Sequence, residues 1–388
     1  MKQKITTYLN TLKDTLFNLS KYLYENPEDS FHEYKACNYI TNLLKDNNFF
    51  VIDNYLNIPT AFYAKYGKGY PKICYICEYD AVENGGHIAG HNLVSAMSIG
   101  ASLSLAKVMD KIDGTIIVLG CPGEFVGGAK VTMVKQGVFD DIDVVLMAHP
   151  DVITAESGTS RAVIPLKIEF KSKSGFSYRR VGTYSALDAC LFTFNAISLL
   201  SKGFDEGCSI DGVIVKGGSS PYLLPSEAEA KFYIRAPKMN LASDIEIKIR
   251  EFIKTTSNIM DVYSDISLYE LPYDDLIPNR TLSRVFSHNL KESGIINIDS
   301  PKNTSSGVSL GTVSHKVPTM HPFISIVNDK SIEYSSAEFS MATISYYAQN
   351  KVLKAAKALA LTGLDLIQNK NLLKEIKTEF NKKIETRD

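Results

Sequence analysis

Residues 76–150 constrain the fold of this chain more than any other stretch. Three short apolar runs, residues 73–76, 115–119 and 144–147, each lead into a polar cluster. The first cluster is Cys77-Glu78-Tyr79-Asp80 followed by Gly86-His87-Ile88-Ala89-Gly90-His91-Asn92. The second is Gly120-Cys121-Pro122-Gly123-Glu124-Phe125, and the third is Ala148-His149-Pro150. Runs this short and this apolar read as strands buried on both faces of a parallel sheet. Polar groups at the C-terminal ends of such strands converge on one crevice. Three of the seven histidines lie in this stretch. Histidines beside carboxylates in such a crevice point to a metal site for hydrolysis.

The rest of the chain extends the pattern. Apolar residues at helical spacing predict helices over residues 6–23 and 31–44, with Asn26-Pro27 between them. Strands follow at 50–52 and 60–65, and an apolar helix at 92–109. Alternating strands and helices up to His149 predict a parallel sheet covered by helices. The order changes after Ser160: strand 163–170, helix 185–200, strands 212–216 and 229–235, helix 241–255, strand 264–270. That β-α-β-β-α-β order is ferredoxin-like. Helical patterns resume at 282–290 and 337–366, and residues 369–388 form a charged terminal helix. The expected fold is therefore α/β. A mainly parallel sheet flanked by helices is built from residues 1–160 plus 276–388, and residues 161–275 form an inserted ferredoxin-like α+β domain.

Composition narrows the function classes. A net charge of −1 over 388 residues gives no reason to expect nucleic acid or an anionic membrane surface as a partner. No apolar run approaches the ~20 residues of a membrane span, and the first residues lack the apolar core of a signal peptide. The six cysteines are scattered and suggest no disulfide framework. Cys74 and Cys77 have redox-motif spacing but fall inside an expected strand, where packed thiols are the simpler reading. The expected location is cytoplasmic.

Several segments, taken in order, resemble peptidase family M-twenty, the dinuclear metallopeptidases and amidohydrolases, and its amidohydrolase branch most closely. Glu78-Tyr79-Asp80-Ala81 with His87-Ile88-Ala89-Gly90-His91-Asn92 is similar to the family's metal-binding stretch. Gly128-Ala129-Lys130-Val131 through Met147-Ala148-His149-Pro150 is similar to the next one. Lys216-Gly217-Gly218 with Pro225 and Arg235-Ala236-Pro237 resembles the lid domain, and Gly311-Thr312-Val313-Ser314-His315 with His321-Pro322 the C-terminal segment. The resemblance implies a catalytic domain, an inserted lid or dimerisation domain, a homodimer, and a small N-acyl amino acid or dipeptide as the amide substrate. It implies His91 and His149 as metal ligands and Glu124 as general base. Arg235 would hold a substrate carboxylate as a bidentate pair.

Departures from the family pattern fall on functional positions. Ala89 stands where the branch has a cysteine ligand, Phe125 where it has a glutamate ligand, and Tyr334 where it has a late histidine. Phe176 stands for a lid-domain histidine, and the aspartate expected near Gly311 is Ser309. Alanine and phenylalanine offer a metal no donor atom, and Tyr334 could bind only as a phenolate, far from its usual pKa of about 10. His87, four residues before His91 and on its face if helical, or Asp80 could then supply a third ligand, although for His87 a structural hydrogen bond to a loop carbonyl is the simpler reading. The expectation is no metal or one divalent ion, zinc or manganese, with a small-molecule amide or amino-acid ligand. The alternative is a non-catalytic relative that binds a small molecule or a protein through the same cleft.

Overall fold

The helix His91–Ala106 is buried from His91 through Leu105. Its sequence is apolar or small on every side, so it belongs in a core. Its serines are satisfied by backbone carbonyls. Ser95 Oγ donates to Glu78 O at 2.6 Å and Ser98 Oγ to Ile76 O at 2.5 Å. These two bonds tie the helix to the end of the strand Lys72–Cys77. The computed structural model describes residues 1–179 and 182–385. They fall into two units: Met1–Thr159 and Leu276–Asn303 with the chain from Thr312 onward, and Ser160–Asp275 with Thr304–Gly311.

The first unit contains a six-stranded sheet in the order Phe50–Asp53, Phe62–Lys68, Gly114–Gly120, Lys72–Cys77, Val144–Leu146 and Thr319–Met320. The last four run parallel, and the first two join antiparallel at one edge. The three apolar runs of the sequence are thus neighbouring parallel strands, with helices packed over them. Beside this sheet lies a smaller one, in the order Asp299–Lys302, Ala155–Ser157, Phe323–Ser325 and His149–Asp151. Its strands are too short to carry a hydrophobic period, so residue patterning does not announce them.

Two expected helices are each divided. Residues 6–23 lie in Lys2–Thr11 and Lys13–Glu25, which meet at Leu12. Residues 337–366 lie in Ala337–Ala342 and Tyr346–Gln368. Each of this second pair starts at a serine N-cap: Ser336 accepts from Phe339 N and Ser345 from Ala348 N. The last helix, Lys370–Glu385, covers most of the charged tail, whose final three residues lie outside the described ones.

The second unit is an antiparallel sheet in the order Tyr263–Leu268, Ala162–Lys171, Glu227–Ala236, Ser209–Lys216. It carries the helices Ala186–Leu200 and Met239–Met260. Alternation along Glu227–Ala236 turns Ala228, Ala230, Phe232 and Ile234 inward onto Ile249 and Ile253. Ser185 and Asp188 form a capping box at the start of the first helix. The element order is β-α-β-β-α-β, as the sequence predicts. Among the described residues no helix is long and apolar enough to cross a membrane.

Candidate functional site

Three strand ends and one helix start converge in the first unit. Glu78 follows the strand Lys72–Cys77, Glu124 lies just beyond Gly114–Gly120, and His149 opens the short strand His149–Asp151. His91 is the first residue of the buried helix, after Gly90. Gly90 has φ +80°, and a Cβ there would sit 2.5 Å from Pro150 Cγ, so no other residue brings this helix start so close to the His149 strand. Gly123, with φ +78°, is held the same way: a Cβ would meet the Phe31 ring at 2.4 Å.

Ligand atoms of Glu78, His91 and His149 all lie within 4.8 Å of one another, and all three residues are buried. His91 Nδ1 donates to Asp80 Oδ1 at 2.7 Å, while its Nε2 lies 3.6 Å from Glu78 Oε2. Burial alone would lower the His91 pKa, but the Asp80 carboxylate, with Glu78 and Glu124 beyond it, raises it to about 9. His149 Nδ1 donates to the carbonyl of Pro150 at 2.9 Å. Burial, with His321 and His91 as neighbours, pushes its pKa well below the usual range. Both rings thus engage Nδ1 and leave Nε2 for the cluster, the arrangement in which an outer hydrogen bond orients a metal-binding histidine.

The carboxylates meet a lysine. Lys130 Nζ donates to Glu78 Oε1 at 2.6 Å and to Glu124 Oε2 at 2.7 Å, and its side chain is 0% exposed. Lysine is almost never fully buried unless its charge is matched. Glu33 supports the loop that carries Glu124. Its Oε1 accepts from Phe31 N at 2.9 Å and Gly123 N at 2.8 Å, and its Oε2 from Thr60 Oγ1 at 2.8 Å. Burial, with Asp80 nearby, raises the Glu33 pKa to about 7.

Aromatic rings close the remaining sides. Phe125 stacks on His91 with centroids 4.7 Å apart, and His321 stacks on His149 at 5.3 Å. The Tyr334 ring lies 6.3 Å from that of His149. Lys302 pairs with Asp151 and sits 4.8 Å from the Phe323 ring centroid.

Of the residues singled out in the sequence, the structure brings His91, His149 and Glu124 into one network, with Phe125 and Tyr334 against it. Asp80 is a neighbour rather than a third ligand. Its Oδ1 serves His91, and its Oδ2 accepts from Ser30 Oγ at 2.8 Å and Phe125 N at 3.0 Å. His87 stands apart, because the helix begins only at His91. Its Nε2 hydrogen-bonds Leu23 O at 3.0 Å, and burial lowers its pKa to about 4. Ala89 is buried next to Gly90. Arg235 belongs to the second unit, where it pairs with Asp211 on the adjacent strand and lies 5.0 Å from the Tyr233 ring centroid. Sequence reasoning assigns no role to Glu78, Lys130 or Glu33. For Glu78 the signal was its place at the C-terminal end of a parallel strand.

Comparison with known proteins gives a consistent picture. The chain is 29% identical over 404 residues to the Xaa-Arg dipeptidase of Mus musculus, covering 99% of this chain and 93% of that protein. It is 27% identical over 301 residues to a subunit of the p-aminobenzoyl-glutamate hydrolase of Escherichia coli, covering 71% of this chain and 62% of that one. A dinuclear metal-binding peptidase from Bacillus subtilis has the same fold, with a TM-score of 0.65 at 16% identity over 91% of this chain and 99% of that chain. No family model matches the chain.

Proposed function

Since the chain belongs to peptidase family M-twenty, we propose that it hydrolyses the amide bond of a small dipeptide or N-acyl amino acid at a site built for one divalent metal. The observation that carries this is the convergence of Glu78, His91 and His149 within 4.8 Å, next to Glu124. One carboxylate and two imidazoles are the donor set of a catalytic zinc site, and manganese accepts the same ligands. When bound, the ion supplies Lewis-acid polarisation of the amide carbonyl and lowers the pKa of water.

The chain's own groups do the rest. Asp80 fixes the His91 ring and its tautomer through Nδ1, and the Pro150 carbonyl does the same for His149. Lys130 anchors Glu124 through Oε2 and so orients the carboxylate. Glu124 takes a proton from the attacking water and returns it to the leaving amine nitrogen. The aromatic rings of Phe125 and Tyr334 exclude solvent from one side of the cluster.

The experiment is release of free amine from a panel of dipeptides, arginine-terminated ones included, and N-acyl amino acids by the zinc- or manganese-supplemented chain. Turnover is expected, with Glu124→Gln slower by about 10²–10⁴-fold. Equal rates for the two proteins would contradict the assignment of the base, and no turnover by either would favour the second reading. That reading is a cleft that binds an amino-acid-like ligand or a protein without cutting it. It is supported by Phe125, an aromatic ring at a family ligand position and stacked on His91.

A second copy of the chain is the proposed partner. The edge strand Ser209–Lys216 exposes Val213, Ile214 and Val215, and the helix Ala186–Leu200 in the same unit exposes Leu191, Phe192 and Leu199. Exposed apolar edge strands invite pairing with another chain, and symmetric dimers are the commonest closed assemblies. Light scattering is expected to give a dimer that Val213→Lys dissociates; a monomeric wild-type chain would overturn this. All six cysteines are free, in keeping with a reducing compartment such as the cytoplasm.

A further inference from the structure

Lys130 cannot touch a substrate, because its side chain is wholly enclosed. Its ammonium nevertheless lies at contact distance from two carboxylates, 2.6 Å from Glu78 and 2.7 Å from Glu124. One of these is a candidate metal ligand and the other is the candidate base. We propose that the Lys130 ammonium permanently holds the place of a second metal ion, so that the site completes its charge with one divalent cation instead of two. This deepens the one-metal hydrolase reading and rests on it.

Charge makes the case first. Three carboxylates pair directly with Lys130 or His91, namely Glu78, Asp80 and Glu124, and Lys130 cancels one of them. Glu33 pairs with neither cation, being bonded by Phe31 N, Gly123 N and Thr60 Oγ1, and is outside this count. Two negative charges remain when His91 and His149 serve as neutral ligands. One divalent ion cancels them; a second would leave two positive charges in a buried space, where uncompensated charge is strongly disfavoured. The adjoining Asp151–Lys302 pair cancels itself and does not alter the count.

Space gives the same answer. A second ion in a dinuclear site stands about 3.5–4 Å from the first and shares carboxylates with it. Here Glu78 Oε1 and Glu124 Oε2 already bind a cation. The ammonium cannot swing away to solvent, because it sits at the second residue of the helix Ala129–Lys135 and every atom of its side chain is enclosed.

The test is the number of ions bound by the full chain, from calorimetric titration with zinc and with manganese and from metal analysis after gel filtration. One ion per chain is expected for the wild type and for Lys130→Arg, which keeps a cation, and two for Lys130→Ala. Two ions in the wild type, or equal numbers in the wild type and Lys130→Ala, overturn the proposal. If Lys130→Ala does not fold, Lys130→Gln takes its place with the same expected count of two. No ion in the wild type would remove the one-metal reading by itself. In that case an ion gained by Lys130→Ala still supports the ammonium as occupant, and none gained overturns it.

Discussion

His91 and His149 are both buried, with ring centroids 5.8 Å apart and planes perpendicular, yet their pKa values move in opposite directions. Burial disfavours the imidazolium of each. His91 is nevertheless raised to about 9, while His149 falls well below the usual range. The difference lies in what each Nδ1 meets: the Asp80 carboxylate for one, the Pro150 carbonyl for the other. His149 is therefore ready to bind a metal through Nε2, whereas His91 must release a proton to do so. The site is built unevenly: Asp80, Glu78 and Lys130 bear on His91, whereas His149 is flanked by the His321 and Tyr334 rings and by the self-cancelling Asp151–Lys302 pair.

The largest test of this unevenness removes the charged side's cation. In the metal-free protein, Lys130→Ala removes the buried ammonium that Glu78 and Glu124 share and should cost about 3–5 kcal/mol in urea unfolding. A loss as small as that of an exposed pair would show that water reaches these carboxylates. The next test separates the two histidines. Asp80→Asn weakens the group that orients His91, and metal affinity measured by competition with a chelator should fall by about 10–100-fold. His149, oriented by the backbone, has no side chain whose loss would do the same, so Asp151→Asn should change affinity much less. If the two substitutions act equally, the distinction between the histidines fails. The smallest effect belongs to Phe125→Ala. It removes a stacked ring that is itself partly exposed, and should cost about 0.5–1.5 kcal/mol in thermal or urea unfolding.

The same unevenness explains what could be read from the sequence. The parallel strands were legible because each is a short apolar run followed by polar residues, as in Lys72–Cys77 before Glu78 and Asp80. The β-α-β-β-α-β unit was legible because its strands are long enough to alternate, as Glu227–Ala236 does. The small sheet holding His149 was not, since three residues carry no period. Within the site, His91, His149 and Glu124 stood out by residue type and by the motifs around them. Lys130 did not, because a lysine after Gly127-Gly128-Ala129 looks like an ordinary solvated helix charge. Only its pairing with Glu78, 52 positions away in sequence, reveals its role. The helical spacing of His87 and His91 left two readings open, a third ligand or a structural hydrogen bond to a carbonyl, and the geometry favours the second: Gly90, in the left-handed region, is the N-cap of the helix that begins at His91 and leaves His87 in the preceding turn, bonded to Leu23 O.

The most direct measurement is anomalous scattering at the zinc edge from crystals of the full chain soaked in zinc. One peak is expected, within bonding distance of Glu78, His91 and His149, with the Lys130 ammonium still between Glu78 and Glu124. Two peaks about 3.5–4 Å apart, or no peak among these three residues, would contradict the one-metal site.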